Sequence, residues 1–261
     1  MIYKDISNHD YHALPSISST AVKTVAKQSV AHWLGQERKE TPAMQMGSAV
    51  HSLALEPEKL EVVRGPETRR GNAWKDAVAS VSDNPDAIVL TEADYDRAAD
   101  IAKAARANHV LKTYLDDPAS HIELSVVLND PDCGVQLRTR PDLLHPPSGT
   151  IIDLKTTIDA SPRGFQRQAI KLGYHIQAFH YCRTLRLEAL NVKRFIFVAV
   201  ETSAPYATCA HIVSPELMAI GGLDWERAME KIMRYEQDGE ISTGWPEMST
   251  LHAPSWMTAD I

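Results

Sequence analysis

Two short segments decide the fold: Arg138-Thr139-Arg140-Pro141-Asp142 and, eleven residues after Asp142, Asp153-Leu154-Lys155. Residues 135–144 alternate as a strand does. Pro146 to Gly149 is a turn, and residues 150–156 alternate again, so the two strands run antiparallel. Side chains along a strand point alternately to opposite faces. Asp153 and Lys155 therefore share a face, while Ile152 and Leu154 turn to the other. The tight connection returns Asp142, near the end of its strand, beside Asp153. Two carboxylates and an ammonium are thereby expected at one edge of a sheet.

Adjacent carboxylates repel, and a divalent cation relieves that repulsion. All-oxygen ligation favours Mg²⁺, with Mn²⁺ able to substitute. Such an ion polarises a phosphoryl oxygen and acidifies a bound water. A lysine alongside can orient or deprotonate that water and offset charge on the phosphate. The plainer reading is a surface ion pair between Asp153 and Lys155, since Asp-x-Lys is a common pattern.

Working outward, residues 121–128 read as a strand and Asp130 to Gly134 as a turn, which completes a three-strand antiparallel meander. Before it, Ser18-Ser19 opens one helix and residues 41–55 form a second, stopped near Pro57. Residues 62–87 read as irregular and polar. Thr91, with Asp94 three residues on, resembles a capping box opening a helix to about His109. After the meander come helices over 162–171 and 174–187, strands over 193–200 and 206–213, and a long helix over 215–238. This order predicts an α/β fold with a central mixed β-sheet flanked by helices.

Three features bear on the carboxylates. Gly47 and His51 lie four apart on the second helix, so they share a face. The glycine would let that helix approach the sheet, and His51 would reach a metal or serve only packing. Gln177 and Tyr181 form a Q-x-x-x-Y pair on one helical face, either half-buried or directed at a site or DNA. Arg138 and Arg140 stand at even spacing from Asp142. In a regular strand all three share a face, where the arginines meet DNA phosphates or neighbouring acids; Pro141 disturbs that regularity. Glu123, on the first strand, is either one more site carboxylate or an edge charge.

The 261 residues carry a formal net charge of −7, which runs against a nucleic-acid partner. Screening confines charge effects to roughly 10 Å at 0.1 M salt, so a local basic groove remains compatible with an acidic exterior. No apolar run reaches the roughly 18 residues of a membrane span, and the first ten residues have no signal-peptide core. The three cysteines (Cys133, Cys182 and Cys209) are far apart, which fits neither a disulfide framework nor a zinc site and suits a cytoplasmic protein. Trp245 and Trp256 have no reading beyond packing, within the chain or at a subunit interface.

Taken together, these motifs resemble the RecB-like branch of the PD-(D/E)XK nucleases, and more closely the nuclease domain of RecE-type exonuclease VIII. The resembling stretches are Ile2 to His12, Met46 to His51 with Leu55-Glu56-Pro57, Arg138 to Asp142, Ile152 to Thr157, Tyr174 to Gln177, and Leu251 to Trp256. The resemblance implies one nuclease domain over 1–261, with a core at about 41–215. It implies His51, Asp142, Asp153 and the Leu154 main-chain carbonyl as metal ligands, Lys155 as the catalytic lysine, and Glu123 as a further acidic residue. Gln177 and Tyr181 would position DNA. It also implies Mg²⁺-dependent digestion of linear double-stranded DNA from the 5′ end to leave 3′ overhangs, a homotetramer ring, and a RecT-type single-strand annealing partner, often in phage recombination. Other readings are a single-strand-preferring or endonucleolytic enzyme of the same branch, a non-catalytic DNA-binding module, and an unrelated small-molecule enzyme.

Overall fold

The computed structural model describes residues 1–4, 6–37, 41–59 and 61–253. In chain order these form β1 (Ile2–Tyr3), α1 (Asn8–Ala13), α2 (Ser19–Lys27), α3 (Val30–Leu34), α4 (Pro42–Leu55), β2 (Val62–Arg64), α5 (Gly71–Ala79), β3 (Ile88–Leu90), α6 (Glu92–Ala107) and α7 (His109–Leu115). There follow β4 (His121–Ile122), β5 (Ser125–Asn129), β6 (Gln136–Thr139), β7 (Leu143–His145), β8 (Thr150–Thr157), α8 (Pro162–Leu172), α9 (Tyr174–Leu187), β9 (Arg194–Glu201), β10 (Thr208–Ile212) and α10 (Pro215–Asp238).

The helix starts follow local chemistry. Ser18, Thr41 and Thr91 each accept a main-chain N–H three residues on, satisfying a donor that the first turn leaves over. The region 62–87 is more ordered than its composition suggests: β2 and β3 pair in parallel around α5. Short paired strands of this kind carry too little periodicity to be seen in sequence.

A central five-stranded sheet has the order β10-β9-β8-β7-β4. β8 and β9 run parallel and the other neighbours antiparallel, so the sheet is mixed, as expected. Its two faces divide the alternation of β8. Ile152 and Leu154 bury with Val50 and Ala54 of α4 and Ile101 of α6, whereas Ile151 buries with Phe165 of α8 and Ala178 and Cys182 of α9. A third cluster joins α2 and α10 to Ile176 of α9 and Leu137 of β6.

The expected three-strand meander is corrected at two points. The first strand breaks at Glu123, whose φ is +51°, and becomes β4 and β5. The second breaks over Arg140-Pro141-Asp142 and becomes β6 and β7. β4 and β7 stay in the five-stranded sheet, while β5 and β6 leave it for a three-stranded sheet of order β1-β5-β6. Arg138, Arg140 and Asp142 therefore do not share one strand face.

Candidate active site

The site forms where the two strands change sheets. The β4–β7 register pairs Ile122 with Leu143, and the Glu123 N–H extends the ladder by donating to the Asp142 carbonyl at 3.1 Å. Glu123 and Asp142 are thus opposite neighbours at the last step before both chains depart. The β7–β8 register pairs Leu143 with Ile152, and its extension would set Pro141 opposite Leu154. Proline has no N–H to offer the Leu154 carbonyl. The Leu154 N–H finds its acceptor in the Asp142 side chain instead, at 2.6 Å from Oδ2. In a strand the N–H and C=O of one residue point the same way, so the Leu154 carbonyl also faces Asp142.

α4 brings His51 to this point. Gly47 lies against Thr156 of β8, where an added Cβ would sit 3.4 Å from the hydroxyl. One turn on, His51 Nδ1 is 3.3 Å from Asp142 Oδ2. One ligand atom each from His51, Glu123 and Asp142 lie within 4.8 Å of one another. This mixed nitrogen and oxygen set suits a divalent cation. The site's own electrostatics agree. Burial, then Asp153, holds the Asp142 carboxyl above the usual range against the pull of His51. Burial, then Asp142, does the same to Glu123, with Arg140 opposing. Two carboxylates held reluctant to ionise together are relieved by a cation.

Asp153 and Lys155 project from the α9 face of β8. Asp153 is almost fully buried; its Oδ2 accepts from Gln177 Nε2 at 2.7 Å, and Lys155 forms an ion pair with its Oδ1. Burial opposes the Lys155 charge, but Asp153 and Asp142 outweigh it and lift the ammonium above the ordinary lysine range. The pair is enclosed and shared with Gln177, unlike a solvated surface bridge.

The remaining expected residues divide. Gln177 reaches the Asp153 carboxylate, whereas Tyr181, one turn later, is buried, with its ring 6.2 Å from that of Phe195. Arg140 is buried too. It donates to Ser125 Oγ at 2.6 Å and to the Ile6 carbonyl at 3.0 Å, and its guanidinium lies 4.1 Å from the Tyr11 ring centroid. Arg138 donates to the Leu14 carbonyl and lies over the same ring. The arginines thus tie the N-terminal segment to the site. A cleft of about 610 Å³ opens beside the cluster, lined by His51, Glu123, Arg140, Ser48, Glu56 and Lys59 among others.

One site residue escaped the sequence reading. Lys23 of α2 donates to Gln177 Oε1 at 3.4 Å. A lysine in an amphipathic helix more than a hundred residues upstream carries no local mark of this position.

Residues 14–248 match the family described as a PDDEXK-like domain of unknown function (DUF3799). The chain belongs to that family. Its fold is that of the PD-(D/E)XK nucleases, which use divalent metals. Among solved structures it is similar to a candidate exonuclease from Eubacterium rectale, with a TM-score of 0.64 and 15% identity over 98% of each chain. A phage-related exonuclease from Haemophilus somnus 129PT also matches, with a TM-score of 0.38 and 12% identity over 88% of this chain and all of the other. A comparison with curated proteins finds no match. Among the described residues, no helix is long and apolar enough to cross a membrane.

Proposed function

We propose that this protein is a metal-dependent exodeoxyribonuclease that digests linear double-stranded DNA, 5′ to 3′, leaving 3′ overhangs for recombination by single-strand annealing. The observation that carries the reading is the meeting of His51, Glu123 and Asp142 next to the buried Asp153–Lys155 pair. The polarity and biological setting rest on the RecE-type resemblance. So do the homotetramer ring, the RecT-type partner and the treatment of 1–261 as one domain; the cytoplasmic location rests on the three scattered cysteines.

His51, Asp142, Asp153 and the Leu154 carbonyl would hold Mg²⁺ or Mn²⁺, with Glu123 adjoining them. The ion supplies Lewis acidity toward a phosphoryl oxygen and an acidified water. The chain supplies the rest. Leu154 N–H fixes the Asp142 carboxylate, and Gln177 fixes one oxygen of Asp153. Lys155, kept protonated by those two acids, orients the attacking water and offsets the charge that builds on the phosphate. Gln177 and Arg140 would border the DNA strand, Arg140 sharing the Tyr11 ring with Arg138.

The test is digestion of 5′- or 3′-labelled linear duplex alongside closed circles, in Mg²⁺ or EDTA, by wild type and Lys155→Ala. Metal-dependent loss of the linear form alone, from the 5′ end and absent in the variant, supports the reading. Cutting of circles would replace it with an endonuclease, and no cutting of any substrate with a DNA-binding module.

A further inference from the structure

α2 does more than pack. Ala21, Val22 and Val25 bury in the cluster shared with α9 and α10, while Lys23 and Lys27, one turn apart, face the junction of α8 and α9. Lys27 donates to the Ile170 and Lys171 carbonyls at 3.0 and 2.8 Å, a favourable place for a cation at the C-terminal end of α8. Gly173, at φ +70°, leaves room for both lysines: a Cβ there would lie 2.8 Å from Lys27 Cε and 3.3 Å from Lys23 Cγ.

Lys23 lies one turn nearer the catalytic strand. Its Nζ makes the 3.4 Å bond to Gln177 and sits 5.7 Å from the Tyr174 ring centroid; Lys155 Nζ is 5.3 Å from the same centroid. The two ammoniums differ in one respect. Lys155 is paired with Asp153, whereas no carboxylate is bonded to Lys23 among the described residues. A half-buried cation with three donors and one long hydrogen bond has capacity for an anion. The His51–Glu123 cleft lies elsewhere around the site, and Lys23 does not line it.

We propose that Lys23 is a phosphate-binding residue of this site: its ammonium takes a non-bridging oxygen of the DNA backbone beside Asp153 and Lys155 while holding Gln177 in place. The proposal rests on the DNA-cleavage reading above. The groups facing Lys23 are Lys155 and Asp153 on β8, Tyr174 and His180 on α9, and Lys27 on its own helix. Burial, then Lys155, brings Lys23 down to about 8 against the opposing pull of Asp153. Lys155 and Tyr174 are lifted above their ordinary values, and His180 is pushed down to about 4. Lys23 is therefore the group here placed to change charge between about pH 7 and 9.

The test is fluorescence anisotropy of a labelled linear DNA duplex in EDTA over a salt series, for wild type, Lys23→Met, Lys23→Arg and Lys27→Met. It is joined by cleavage kinetics in Mg²⁺. Lys23→Met is expected to weaken binding about tenfold, to flatten the slope of log K against log salt by about 0.9, and to raise KM more than it lowers kcat. Lys23→Arg restores binding, and Lys27→Met binds as wild type does. Wild-type affinity should fall from pH 7 to 9, and the arginine variant should remove that fall. Wild-type affinity and slope in a folded Lys23→Met protein would overturn the proposal. If that variant does not fold by circular dichroism, a fall retained in Lys23→Arg overturns it. Wild type that neither binds nor cuts DNA would instead overturn the nuclease reading beneath it.

Discussion

Asp142 is held where a charge is costly. Burial and then Asp153 raise its carboxyl above the usual range, so above that raised value the metal-free fold carries a penalty that the unfolded chain does not. Asparagine keeps an oxygen for the Leu154 N–H and removes the charge. Asp142→Asn is therefore expected to stabilise the protein in EDTA by the order of 1 kcal/mol, about 2–4 °C in a melt, while abolishing cleavage. A lower melting temperature in EDTA would mean that the contact with His51 outweighs burial. Lys155→Ala and Asp153→Ala make a different prediction. Both should lose cleavage while DNA binding and the circular dichroism spectrum stay largely intact; collapse of the spectrum would show that the pair is structural. The residue types of the site were legible because Asp-x-Lys, Pro-Asp and Gly-x-x-x-His sit at fixed local spacings. Lys23 was not legible, since only the packing of α2 on α9 brings it to Gln177.

α9 carries Gln177 to the site and is anchored from behind by His180. His180 Nε2 donates to the Arg138 carbonyl at 2.9 Å, and its Nδ1 accepts from Trp225 Nε1 at 3.0 Å, so the ring is neutral with one defined tautomer. Burial pushes its pKa from the ordinary 6.5 to about 4. The sign follows from proton counts: below 6.5 the unfolded chain takes up a proton that the fold refuses. Stability is full above about 6.5 and falls as the pH drops to about 4, by roughly 3 kcal/mol at most. Urea melts over that range should show the loss, and His180→Gln should flatten it; an unchanged slope would assign the acid sensitivity elsewhere. α9 is also gripped by α10, where a Cβ on Gly221 would lie 2.3 Å from the His175 carbonyl oxygen. Main chain cannot yield as a side-chain tip does, so Gly221→Ala should destabilise by about 1–3 kcal/mol. A melt within error of wild type would show that the helices separate freely.

For the molecule as a whole, a cation that binds only the folded site stabilises the entire domain. Mg²⁺ at a hundred times its Kd would add about 2.7 kcal/mol, read as a rise in melting temperature. That rise should vanish in Asp142→Asn, and its absence in wild type would remove the metal from the site. The sequence alone determined the helix starts at Ser18, Thr41 and Thr91, the bounds of the last long helix, and the mixed sheet. It also put Asp153 and Lys155 on one strand face. Caps, periodicity and alternation are short-range properties that a chain displays before it folds. Only the tertiary structure decided where the strands leave their sheet. A glutamate at positive φ and a strand released at Pro141 are tolerated because two sheets and α4 enclose them, and nothing local announces either. Glu123 and Asp142 stand opposite each other at that departure, and the packing of α4 on β8 brings His51 within reach. Candidate metal ligands drawn from three distant segments meet only through long-range packing, so their types were readable in the sequence and their convergence was not.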